Sequence, residues 1–215
     1  MVQELPFAPA CERNKQPILE VLQRVLPPKG LVLEIGSGTG QHVVYFSAAL
    51  PHLRWQPSEQ AENLAGLQRR LDQQAGANVL QAIELRIGLR IGLHIGLQVG
   101  LDVAAPWPRL DVAAIISSNT AHIMAWPEVV CMFDGVARLL QASGVFCLYG
   151  PFNSNGEFTS ASNRQFDQEI RARKSSMGLR DVVELEKLAE QRHMSLEQQI
   201  PMPANNQTLV FRKQA

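Results

Sequence analysis

Residues 31–40 read LVLEIGSGTG, and QHVVYFSAAL follows at 41–50. Leu31, Val32 and Leu33 form an apolar run that ends at an acid, Glu34. Gly36, Gly38 and Gly40 then alternate with Ser37 and Thr39, and the segment after them reads as a helix. Strand, glycine-rich turn and helix together open a nucleotide-binding α/β unit. A glycine has no Cβ, so the chain can turn sharply and a ligand can lie directly on the peptide plane. The start of the helix adds unpaired N–H groups beside it.

Spacing narrows the ligand. A dinucleotide fingerprint needs glycines at its first, third and sixth positions. Counted from Gly36, the sixth position is Gln41, which argues against a nicotinamide oxidoreductase. The pattern acid-x-Gly-x-Gly-x-Gly, with Glu34 as the acid, resembles motif I of class I methyltransferases, which bind S-adenosylmethionine. A cationic sulfonium needs no pyrophosphate cradle and tolerates a nearby carboxylate. Taken alone, the stretch also reads as an ordinary strand-to-helix turn.

The 215 residues suffice for a single α/β domain with its own core. Twenty Lys and Arg balance twenty Asp and Glu, so nothing favours a polyanion, and no nucleic-acid partner is expected. Cys11, Cys131 and Cys147 have no paired spacing. Cys131 and Cys147 lie in apolar surroundings, which predicts buried free thiols, a reducing cytoplasmic compartment and no metal site. MVQELPFAPA lacks the basic and apolar regions of a signal peptide. No apolar run reaches the ~18 residues of a membrane span, so no membrane partner is expected.

Periodicity predicts the elements. Residues 5–15 read as an N-terminal arm, and Gln16 to Leu26 as an amphipathic helix with Ile18, Leu19, Leu22 and Val25 on its stripe. Strands are expected at 31–35, 53–57, from 78, at 110–117 and at 145–149, with helices at 61–74 and 126–141 between them. The tail predicts helices at 162–175 and 182–192, then a strand pair at 195–201 and 208–212. This alternation specifies a doubly wound, Rossmann-like, mostly parallel sheet with an antiparallel C-terminal edge.

One segment stands apart. Residues 85–102 read LRIGLRIGLHIGLQVGLD, a repeat of period four. As a helix it would drift by about 40° per repeat and carry a glycine in each turn. As a strand it places every Leu, Ile and Val on one face, yet unbroken it would span about 60 Å. It is therefore expected to fold back as a hairpin or to project from the body. Removing residues 86–101 joins NVLQAIEL to DV and restores an ordinary third strand ending at Asp102, so the repeat reads as a duplicated insertion. Its apolar face, over 85–103, is an expected self-association surface.

Several residues suit chemistry. Glu59 ends the second strand, where a carboxylate can accept both hydroxyls of a ribose or complement a helix N-terminus. Asp102 would meet an adenine amino group or stand as a solvated loop acid, and Asn119 sits where the chain crosses the ligand crevice. The stretch SSNTAHIMAWPE, 117–128, collects His122 and Trp126 at the same strand ends. His122 can take a proton from a nucleophile, or hydrogen-bond at a helix start. Trp126 can stack on a ligand or pack. Tyr149 can bond a substrate or pack.

RNKQPILEVL, LEIGSGTGQHVVYFSAALPHLRWQPSE, NTAHIMAW, LYGPFNSNGEFTSASNRQFD and MGLRDVVELEKLA together resemble the domain-of-unknown-function 938 family, which includes the methyltransferase-like 26 proteins. The likeness covers nearly the whole chain apart from the repeat. It implies a class I methyltransferase fold with S-adenosylmethionine as cofactor and leaves the acceptor undefined; a small or medium small-molecule acceptor is expected. It carries Glu34, Gly36, Gly38, Gly40, Glu59, Asp102 and Asn119 over as cofactor positions. Asn14 and Lys15, with Arg13, would form a lid over the cofactor or a solvated turn. Asn163, Asp167, Arg180 and Asp181 would line an acceptor pocket or form a structural network, with the network favoured for the two aspartates. A cofactor-binding sensor or assembly module without catalysis is the alternative reading.

Overall fold

In the computed structural model, which describes residues 4–85, 87–89, 99–101 and 110–215, the first helix, α1, spans Pro9–Val25. It absorbs most of the expected arm and starts well before Gln16. Proline suits the first helical turn, where its missing N–H has no partner to lose. Asn14, Ile18, Leu19, Val21, Leu22 and Val25 are all buried on one stripe, and that burial outweighs the single bond interrupted at Pro17.

β1 (Leu31–Ile35), α2 (Gln41–Ala49), β2 (Arg54–Glu59), α3 (Ala61–Gln74) and β3 (Ile83–Glu84) follow. β4 (Ile87–Leu89) and β5 (Val99–Leu101) bracket the repeat. Next come β6 (Val112–Ser118), α4 (Trp126–Leu139), β7 (Leu140–Gly150), β8 (Phe152–Ser154), β9 (Glu157–Phe158) and α5 (Ala161–Arg173). β10 (Arg180–Asp181), α6 (Val182–Glu190), β11 (Met194–Met202) and β12 (Asn206–Lys213) complete the order.

Seven strands form the main sheet in the order β3-β2-β1-β6-β7-β12-β11. The first five in that order run parallel, and β12 pairs antiparallel with both β7 and β11. The antiparallel strand is thus inserted one place in from the edge. The predicted third strand shortens to two residues, preceded by a bridge between Trp55 and Val79. Side chains replace the missing ladder there: Gln56 Nε2 donates to the Gln81 carbonyl at 2.8 Å.

Successive residues of each central strand point to opposite faces. Leu33, Ile35, Ile115, Phe146 and Phe211 pack with α4 and α6. Val32, Trp55, Ala114, Ile116 and Val210 pack with α1, α2 and α3. A sheet buried on both faces explains why its central strands are apolar throughout.

The ends of the repeat pair antiparallel, with Ile87 opposite Leu101 and Leu89 opposite Val99. Both strands lie against α4 instead of standing away from the body. Asp102, the expected adenine contact, lies outside the described residues, as do residues 90–98.

Candidate functional site

The carboxyl ends of β1, β2 and β6 open on a cavity of about 660 Å³, within the range of small-molecule pockets. From the strand ends it is lined by Gly36, Gly38, Glu59, Ser118 and Asn119. Leu85 and Ile87 reach it from beyond β3, and Ile123, Met124, Glu128 and Lys174 from the loops and helices past β6.

The glycine turn is held by β2. Ser37 N–H donates to the Ser58 carbonyl at 2.9 Å, and Ser58 N–H returns a bond to Ser37 Oγ at 3.2 Å. Ser58 Oγ donates to the Glu34 carbonyl at 2.6 Å. Gly36, Gly38 and Gly40 have φ of +71°, +53° and +78°. At Gly36 a Cβ would stand 2.9 Å from Thr120 Cγ2, whereas at Gly38 it would meet no atom of a described residue within 4 Å. The first glycine is needed for closeness to the loop after β6, and the second leaves a peptide bare to the cavity.

Glu59 is 8% exposed. Its Oε2 accepts from Gly38 N–H at 2.6 Å, and its Oε1 from Gln60 N–H at 2.9 Å. Glu34 lies behind the turn and does not line the cavity. Burial pushes its carboxyl up to about 7, against a hydrogen bond from Ser37, and the charge of Glu59 adds to the rise. Its Oε2 is buried without a hydrogen-bond partner among the described residues. Asn119 takes φ of +59°, with its N–H donating to the Tyr149 carbonyl at 2.9 Å. That kink brings the chain after β6 across the cavity floor.

The other predicted residues stand elsewhere. His122 packs its ring edge-on to Phe166, with centroids 5.2 Å apart. Burial, aided by the Arg180 charge, lowers it to about 4, so it is neutral at pH 7. Tyr149 lies in the core on the α1 face, where burial raises its hydroxyl against a hydrogen bond from Asn14. Asn14 Oδ1 meets His42 Nε2 at 2.7 Å, and burial lowers His42 to about 4. Lys15 pairs with Glu12 at 2.5 Å and sits over the Tyr45 ring. Trp126 packs against the core, and Asn163 donates to Thr159 Oγ1 and the Asn205 carbonyl. None of these six lines the cavity. Two causes account for it. α1 carries Asn14 and Lys15 into its packed face and flank, and the side chains of His122 and Asn163 are committed to neighbouring elements.

Asp167 accepts from Arg171 Nε and Leu179 N–H, whereas Asp181 caps α6 through Val183 N–H. Sequence reasoning missed Ile123, Met124 and Lys174, because an exposed isoleucine, a half-buried methionine in a loop and one more lysine have no periodic signature. Among the described residues no group of three or more His, Cys, Asp or Glu could hold a metal. No helix among them is long and apolar enough to cross a membrane.

The family model described as "Protein of unknown function (DUF938)" matches residues 5–213. The chain is similar in structure to an O-methyltransferase family protein from Burkholderia thailandensis (TM-score 0.75, 13% identity, 96% of this chain and 58% of that one). It is similar also to human N-acetylserotonin methyltransferase in complex with SAM (TM-score 0.73, 12% identity, 96% and 53%). A third likeness is to CalO1, a methyltransferase in calicheamicin biosynthesis, in its SAH-bound form (TM-score 0.68, 16% identity, 94% and 54%). The fold is therefore the class I methyltransferase fold, and the chain spans a little over half the length of these solved structures.

Proposed function

The chain belongs to the DUF938 family, and from that premise we propose that it is an S-adenosylmethionine-dependent methyltransferase acting on a small acceptor. The observation that carries this reading is the meeting of Glu59 with the glycine turn at the mouth of one cavity. A carboxylate in that position suits a vicinal diol, and the open space at Gly38 leaves its peptide free to lie against a ligand.

The donor set fits the cofactor. Glu59 would hold the ribose, the peptides of Gly36 and Gly38 would lie along the amino-acid portion, and Asn119 would face the adenosyl group from β6. Glu34, with a buried oxygen that has no partner among the described residues, would supply negative charge behind a cationic ligand. When bound, S-adenosylmethionine supplies an already activated methyl group. What remains for the chain is to hold the acceptor in line and exclude water. Ile123 and Met124 provide an apolar wall for the second task. Proton removal is assigned to neither His122 nor Tyr149, since both are packed outside the cavity.

A tritiated-methyl screen against a small-molecule cell extract tests the reading. Label transfer to an acceptor supports it. Binding of S-adenosylmethionine without any transfer would favour the sensor or assembly alternative.

A further inference from the structure

Among the described residues, four charged side chains line the cavity: Glu59, Glu62, Glu128 and Lys174. Glu59 accepts from two backbone N–H groups. Glu128 accepts from Ala125 N–H at 2.5 Å at the start of α4. Glu62 stands in the first turn of α3, where the helix dipole favours an acid. Lys174 is different. Its backbone is fixed by bonds to Ile170 and Met177, yet its ammonium has no hydrogen bond or ion pair with any described residue.

Lys174 and the apolar wall are tied together. Gly178 N–H donates to the His122 carbonyl at 3.0 Å. The buried Arg180 guanidinium bonds the carbonyls of Ala121 and Met124 on one side and Ser176 on the other. The segment after α5 and the loop after β6 therefore form one unit. It presents Ile123, which is 48% exposed, and Met124 beside a lysine. Exposed isoleucine at a cavity wall suits an apolar ligand surface. An ammonium with no partner among the described residues, at the same wall, suits an anion. A sulfonium close by would also repel a cationic acceptor and attract an anionic one.

We propose that the acceptor has an apolar body and an anionic end, carboxylate or phosphate, and that Lys174 is the residue selecting for that charge. The proposal rests on the methyltransferase reading. Fluorine NMR titrations test it with 4-fluorobenzoate, 4-fluorophenyl phosphate and neutral 4-fluorobenzamide. The protein is saturated with S-adenosylhomocysteine, as wild type, Lys174→Gln and Lys174→Arg. Both anions should bind wild type at least ten-fold more tightly than the amide. Lys174→Gln should abolish the preference and Lys174→Arg should keep most of it. The tighter of the two anions identifies the headgroup. Equal binding of the amide, a preference that survives in Lys174→Gln, or no binding by any probe overturns the proposal. Calorimetry of S-adenosylhomocysteine on the same samples separates the two claims. Its failure to bind defeats the methyltransferase reading, whereas intact binding without the anion preference defeats this one alone.

Discussion

Gly38 N–H donates to Glu59 Oε2 at 2.6 Å, so the turn after the first strand is tied to the end of the second by one charge-assisted bond. The bond pre-forms the site and leaves the rest of the carboxylate facing the cavity. Glu59→Ala should weaken S-adenosylhomocysteine binding at least ten-fold and lower stability by about 2–3 kcal/mol, since the N–H groups of Gly38 and Gln60 both lose a charged acceptor. Glu59→Gln should keep much of the stability and still lose affinity. Calorimetry paired with thermal unfolding measures both, and unchanged affinity in either variant would remove Glu59 from the site.

Two glycines should respond differently to the same change. Gly38→Ala adds a methyl group where no described residue stands within 4 Å, at a φ of +53° that strains any side chain. The expected stability loss is about 1–2 kcal/mol from the left-handed backbone, with binding lost because the methyl group occupies the ligand's side of the peptide. Gly36→Ala adds a clash with Thr120 Cγ2 at 2.9 Å to the same backbone strain, so it should unfold at a lower temperature than Gly38→Ala. A reversed order would show that the turn relaxes freely at Gly36.

Glu34 makes stability and binding respond oppositely to pH. Its folded-state pKa of about 7 lies above its ordinary 4.5, so between these values the native chain holds a proton that the unfolded chain has released. Stability therefore falls as pH rises through that window, by on the order of 3 kcal/mol in all. Above pH 7 the ionised Glu34 favours a cation, so affinity for S-adenosylmethionine should climb from pH 6 to pH 8. His42 and His122 act the other way. Both are lowered from 6.5 to about 4, and they cost stability as pH drops from 6.5 toward 4. Comparing Glu34→Gln with wild type across pH isolates the acid: the variant should melt higher at pH 8 and lose the rise in affinity. Parallel curves for the two proteins would contradict this.

Arg70 fastens the N-terminal segment to the site. It is 7% exposed and donates from Nε to the Thr39 carbonyl at 2.6 Å and from Nη2 to the Pro6 carbonyl at 2.5 Å. A lysine ammonium cannot span both acceptors in that geometry. Arg70→Lys should cost about 1–2 kcal/mol and open residues 4–8 to protease. Limited proteolysis with mass spectrometry reads the cleavage sites, and an unchanged digestion pattern would show that the segment is held by its other contacts.

The fold was legible in the sequence because its signals are local. The apolar runs of β1 and β6, the glycine turn and the amphipathic helices each need only neighbouring residues to be recognised, and Glu59 falls where a strand must end. The start of α1 was not, because its buried face before Ile18 carries only the polar Asn14, so residues 5–15 show no apolar periodicity and read as an arm. The acceptor half of the cavity was hidden for a different reason. Ile123, Met124 and Lys174 meet only because Arg180 joins two segments more than fifty residues apart. His122 sat at the right point along the chain, but its ring turns to Phe166 in a direction no spacing reveals.

The most direct measurement is an isothermal titration of the wild-type protein with S-adenosylhomocysteine. The account predicts saturable one-to-one binding that competes with S-adenosylmethionine and weakens at least ten-fold in Glu59→Ala. Absence of binding to folded protein, or binding indifferent to Glu59, would contradict it.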